Sequence, residues 1–290
     1  MTTLTLQHPP VFATPVARPV VTCVVPVRHP DNAKNWRALM TRLAETAQSI
    51  ASQTDAGWHG IVVANTGVEI PALPSGFEVV RVTFPPNPMH DLTPENREAV
   101  YEAFRLDKGR RVLAGMLAAP PSDYFMIVDD DDFVSRELVA YVRAHRGAPG
   151  WFVGHGYVWS EGGRVVYLHP DFAGLCGTSH IVRSDLYRLP ASLESADLEQ
   201  VKSMLGSHIR IEKRLADEGN ALVPLPFAGA VYRVGHAEAH SKSRSVLRTF
   251  VANRQVLRAP HVALRNLLRL RPLSAIARDF GMLQRQAAPL

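Results

Sequence analysis

Four strand-like segments constrain this chain more than any other feature: VVTCVVPV (20–27), GIVVANTG (60–67), FEVVRVTF (77–84) and YFMIVDD (124–130). They are rich in β-branched residues, as expected of strands buried on both faces. Helix-spaced segments lie between and after them. In residues 32–54, Trp36, Leu39, Met40, Leu43, Ala47 and Ile50 form an apolar stripe. A second helix is predicted from about Pro94 to Ala119, stopped by Pro120 and Pro121, and a third over 135–147 with Ser135 as N-cap. Such alternation predicts an α/β fold with a mostly parallel central sheet flanked by helices. After Gly150 the pattern changes to strand-like pieces at 151–160, 164–170 and 177–187, a helix at about 203–218, and a last strand over 221–235.

With 290 residues and 46% hydrophobic content, a sizeable core is affordable. No run reaches the ~18 apolar residues of a membrane span, and residues 1–19 have no signal-peptide pattern. Cys23 and Cys176 are far apart and outside any metal spacing, which suits free thiols in a reducing cytoplasm. The domain expectation is a loose arm (1–19), a catalytic domain (20–240) and a basic helical extension (241–290). That extension holds ten Lys/Arg and one acid, Asp279; its charge of +9 leaves −4 for the remainder of a chain whose net charge is +5. Apolar residues recur in it at helical spacing, so it is expected to pack on the domain or to lie on an anionic membrane surface. No nucleic-acid-binding module accompanies the charge.

The fourth run drives into four consecutive aspartates, Asp129 to Asp132. Ligands of open α/β sheets gather beyond the carboxyl ends of strands, so these acids stand where a site is expected. A merely solvated acidic loop explains that position poorly. An EF-hand would need Gly at the sixth place and Glu at the twelfth, where Val134 and Ala140 stand. A haloacid-dehalogenase motif fails at Phe133. A D-x-D pair on extended backbone presents both carboxylates to one face. That pair suits Mg²⁺ or Mn²⁺ shared with phosphate oxygens.

VTCVVPVRHP, SIASQTDAGWHGIVVANTG, DKGRRVLAGMLAAPPSDYFMIVDDDDFVS and GTSHIVRSDLY, in this order over residues 20–236, resemble a glycosyltransferase of the GT-A fold, of the family-two type. The resemblance implies a nucleotide-diphosphosugar donor of the UDP or GDP type and a glycan or lipid-linked acceptor, in cell-envelope polysaccharide synthesis at the inner face of a membrane. It implies Mn²⁺ or Mg²⁺ held by Asp129 and Asp131, with Asp130 between them at the donor. Pro26, Val27 and Arg28 would line the nucleotide, and Lys108, Arg110 and Arg111 would stand near it. Asn65 occupies a position usually held by Asp. The acidic pair that the family places before its late helix falls on Ser207 and His208, so His208 becomes the candidate base, with Glu194, Asp197, Glu199 and Glu212 nearby. His236 is the candidate third metal ligand and His240 a weaker one. Two alternatives stay open. A sugar-phosphate nucleotidyltransferase would need a glycine-rich loop that VPVRHPDNAKN lacks, and a catalytically silent nucleotide- or carbohydrate-binding protein would accommodate the changes at Asn65 and Ser207-His208.

Overall fold

The computed structural model describes residues 18–89, 96–235, 246–250 and 260–282. The first half builds β1 (Val21–Pro26), α1 (Trp36–Ala51), β2 (Trp58–Asn65), β3 (Phe77–Val82), α2 (Arg97–Ala118), β4 (Tyr124–Ile127), β5 (Phe133–Val134) and α3 (Leu138–Ala144). The second adds β6 (Gly150–Phe152), β7 (Gly156–Ser160), β8 (Val165–His169), β9 (His180–Arg183), α4 (Leu198–Gln200), α5 (Ile211–Asp217), β10 (Val223–Pro224) and β11 (Ala230–Val234). In the tail lie α6 (Val246–Phe250), α7 (Pro260–Leu267) and β12 (Leu270–Pro272).

Two sheets form. The first has the order β10-β6-β9-β4-β1-β2-β3. Strands β3, β2, β1 and β4 run parallel, as the buried runs predict, so the carboxyl ends of β1 and β4 meet at one edge. The sheet is nevertheless mixed, not mostly parallel, because β9 runs antiparallel to both β4 and β6. A four-residue strand that pairs on both sides carries no direction in its composition, and this is why the sequence expectation missed it. Alternation along β1 divides the core: Val21, Cys23 and Val25 pack with Leu39, Leu43 and Ile50 of α1, while Val24 faces Val112 and Leu113 of α2.

The second sheet, β12-β8-β7-β11-β5, begins just beyond the aspartates. Strand β5 follows Asp132 and pairs antiparallel with β11, so the acidic run is the connector between the sheets. The expected last strand over 221–235 is two strands: β10 joins the first sheet and β11 the second. The expected helix at 203–218 is also broken. A π-helical turn (Val201–Leu205) ends at Gly206, and α5 starts only at Ile211.

Among the described residues the C-terminal extension combines short helices with a strand. After the two short helices, β12 pairs antiparallel with β8. Ile276, Ala277, Phe280 and Met282 are then buried with Phe133, Val166 and Val231. Ser49 Oγ donates to the Phe280 carbonyl at 2.7 Å, fixing this segment to α1. The helical spacing seen in the sequence therefore serves partly as packing against the second sheet. No helix among the described residues is long and apolar enough to cross a membrane.

Candidate active site

A cavity of about 610 Å³ opens at the carboxyl edge of the first sheet. Its walls come from the end of β1, from α2, from the acidic connector, from residues 174–177 and from the break at 206–209. Each wall has a local cause. The chain leaves β1 through Pro26 and Arg28, which both line the cavity, while Val27 is wholly buried beneath them. Helix α2 brings Lys108 and Arg111 on one face.

Two glycines let α2 approach the broken segment. A Cβ on Gly109 would stand 2.5 Å from the Val201 carbonyl oxygen, and one on Gly206 would strike the Arg105 carbonyl. The Gly206 N–H closes the π turn by donating to the Val201 carbonyl at 2.9 Å. Turns of this type frequently mark functional sites. Here the turn ends the helix early and leaves Ser207 and His208 in the cavity wall.

The four aspartates are tolerated in different ways. Asp132 is fully buried and serves as a tie. Its Oδ2 accepts from Thr178 Oγ1 at 2.6 Å and from Cys176 Sγ at 3.1 Å, and its Oδ1 accepts from the Arg233 amide at 3.1 Å. Burial first, then the charges of Asp131 and Asp129, push its pKa well above the carboxylate range. Asp130 is pushed up to about 7, mainly by burial and also by both neighbouring carboxylates, against the pull of Arg28. Asp129 and Asp131, less buried, line the cavity.

Asp129 holds the Lys108 ammonium at 2.5 Å. Burial would lower the lysine pKa, but the Asp129 charge and hydrogen bond overcome it, so the net shift is upward. A Cβ on Gly177 would fall 2.7 Å from Asp129 Oδ2 and 2.9 Å from Lys108 Nζ, so only glycine leaves this seat open.

His208 lines the same cavity. Burial, then the Lys108 charge, hold its pKa down at about 4, while a hydrogen bond with the Gly174 backbone favours the protonated form. The imidazole is therefore neutral at pH 7. The sequence-based expectation of an ordinary histidine pKa near 6.5 is corrected by this burial. Behind it, His180 Nε2 lies 3.1 Å from Glu212 Oε1, which links β9 to α5. Asp197 caps α4 by accepting from the Glu199 amide, and Glu199 pairs with Lys202. Neither acid lines the cavity, nor does Glu194.

Asn65 stands one step back from the cavity. Its Oδ1 accepts from Arg111 Nη1 at 2.7 Å and its Nδ2 donates to the Phe84 carbonyl at 2.7 Å. Arg111 also makes a two-pronged pair with Asp107 at 3.0 and 3.1 Å and lies over the Phe84 ring. Arg111 lines the cavity and Asn65 orients it; Arg110 does not line it. His236 and His240 lie outside the described residues. Sequence reasoning overlooked Gly177, Thr178 and the His180–Glu212 pair. Nothing in the local sequence marks Gly177 as the neighbour of Asp129, and the others likewise depend on contacts distant in sequence.

Among the described residues, no group of three or more His, Cys, Asp or Glu is placed to hold a metal ion. The residues still fit an ion that bound phosphates would help to coordinate, since Mg²⁺ commonly takes only one or two carboxylates from the protein. The Lys108 ammonium on Asp129 already shows a cation seated there.

No protein-family model and no curated protein matches the chain. Among solved structures it is similar to the crystal structure of S. aureus TarS 1-349, with a TM-score of 0.38 and 13% identity over 73% of this chain and 60% of that one. It is also similar to the crystal structure of the Rv0371C complex with manganese from Mycobacterium tuberculosis H37Rv, with a TM-score of 0.33 and 12% identity over 74% of this chain and 92% of that one. Likenesses this remote carry no weight for function, which rests on the site itself.

Proposed function

We propose that the chain is a glycosyltransferase that moves a sugar from a nucleotide-diphosphate donor, of the UDP or GDP type, to a hydroxyl of a glycan or lipid-linked acceptor. The observation that carries this reading is that one cavity is lined by both kinds of group the transfer needs. Asp129, Asp131, Lys108 and Arg28 line it together with a neutral imidazole, His208. A charged diphosphate needs the charged groups and an alcohol losing its proton needs the imidazole.

Asp129 and Asp131 would hold Mn²⁺ or Mg²⁺, which supplies Lewis-acid neutralisation of the leaving diphosphate. Arg28 and Lys108 face the same charge from the protein side. His208 accepts the acceptor's hydroxyl proton as that oxygen bonds to the anomeric carbon, and the bond from that carbon to the diphosphate oxygen breaks. The departing group carries the electron pair. A direct displacement inverts the anomeric centre, so a product with retained configuration would remove His208 from this role.

A thermal-shift screen of UDP-, GDP-, CMP- and dTDP-sugars with and without Mn²⁺ tests the donor class. A ligand that binds the native state raises the melting temperature by mass action. One donor is expected to do so, more strongly with metal. No shift with any donor would contradict the proposal. Metal-dependent release of free nucleoside diphosphate would then separate an enzyme from a silent binder.

A further inference from the structure

Helix α7 and the residue after it turn leucines outward. Leu264, Leu267 and Leu268 are 61, 49 and 68% exposed, and their spacing places them on one face. The inward contact is polar instead. Asn266 is buried, donating from Nδ2 to the Phe250 carbonyl at 2.8 Å and accepting from Tyr167 Oη at 3.0 Å. The Phe250 ring stacks on Tyr167 with centroids 4.1 Å apart. Just beyond, the Leu168 amide donates to the Arg269 carbonyl at 3.0 Å, and β12 pairs with β8. The leucines are thus held outward by a segment anchored to the second sheet.

Charge surrounds them. Arg265 lies within the leucine stretch and is exposed. Arg271 folds back, its Nη1 donating to the Leu268 and Leu270 carbonyls at 2.6 and 2.8 Å. Asp279 is the sole acid from residue 241 onward. Exposed leucines among arginines match the boundary between headgroups and acyl chains, where apolar side chains insert and guanidinium groups pair with phosphates.

We infer that this face docks the protein on an anionic phospholipid surface, with Leu264, Leu267 and Leu268 inserted and Arg265 and Arg271 at the headgroups. The inference goes beyond the transfer reaction, since none of these residues lines the cavity. The test is flotation of the full chain with vesicles of equimolar phosphatidylcholine and phosphatidylglycerol, compared with phosphatidylcholine alone. Binding is expected only to the anionic vesicles. It should weaken roughly tenfold or more in the variant with Leu264→Ser, Leu267→Ser and Leu268→Ser, and fall in Arg265→Gln with Arg271→Gln, with donor-induced thermal shifts unchanged. In Leu268→Trp, which keeps the face apolar, the tryptophan emission should shift to the blue on adding anionic vesicles. Equal binding to neutral vesicles, full binding by the serine variant, or no emission shift would overturn the inference. So would a wild-type dimer that the serine variant dissolves, because the face would then join two copies of the chain.

Discussion

His208 is the residue on which the proposed chemistry turns, and its surroundings set the pH behaviour. Its pKa near 4 makes it a neutral acceptor across the physiological range. The acid limb due to His208 should appear only as the pH drops towards 4, and His208→Ala should remove that limb while lowering kcat by roughly 10²–10⁴, with donor affinity little changed. A limb that survives in the variant would exclude His208. The same depression bears on stability. The unfolded chain, with histidine near its ordinary 6.5, binds more protons than the folded one between that value and about 4, so stability falls as pH drops through this window. His208→Ala should flatten that part of a denaturation curve measured against pH. At this scale, the sequence revealed which residue types meet at the site and not what each is bonded to. Asp129 to Asp132 could be read as a cluster, but only contacts across 44 to 101 positions show that Asp132 is a tie to Cys176, Thr178 and Arg233.

The elements that matter most are α2 and the interrupted helix beside it. Their backbones meet through Gly109 and Gly206, and this seam holds α2, which carries Lys108, against the segment that carries His208. Gly206→Ala adds a methyl group against the Arg105 carbonyl, and should destabilise the protein by about 1–3 kcal/mol as the seam opens. Because His208 is two residues away, kcat should fall more than donor affinity. An unchanged melting temperature and unchanged kcat would show that the seam does not position the site. The parallel strands β1 to β4 were legible because unbroken β-branched runs are a strong local signal. The break at 206–210 was not, because the apolar spacing continues from Val201 to Leu215 and the close approach of Gly206 to the Arg105 carbonyl is a tertiary contact. Likewise, β9 shows no local sign of its direction.

Across the whole molecule, the acidic connector joins the two sheets, and the cavity lies where they meet at the parallel strands' carboxyl edge. A tail that read as a basic helix instead completes the second sheet through β12 and buries Phe280 beside α1. Periodicity showed that the tail had an apolar face, but could not show which leucines the fold would leave outside. The measurement that most directly tests the central claim, a diphosphate-and-cation seat at Asp129 and Asp131, is calorimetric titration of the donor found by thermal shift into wild-type protein and Asp131→Asn, each with and without Mn²⁺. A working seat gives metal-enhanced binding in the wild type and its loss in the variant, with the melting temperature of the ligand-free protein preserved. Equal metal-dependent affinity in both proteins would contradict it.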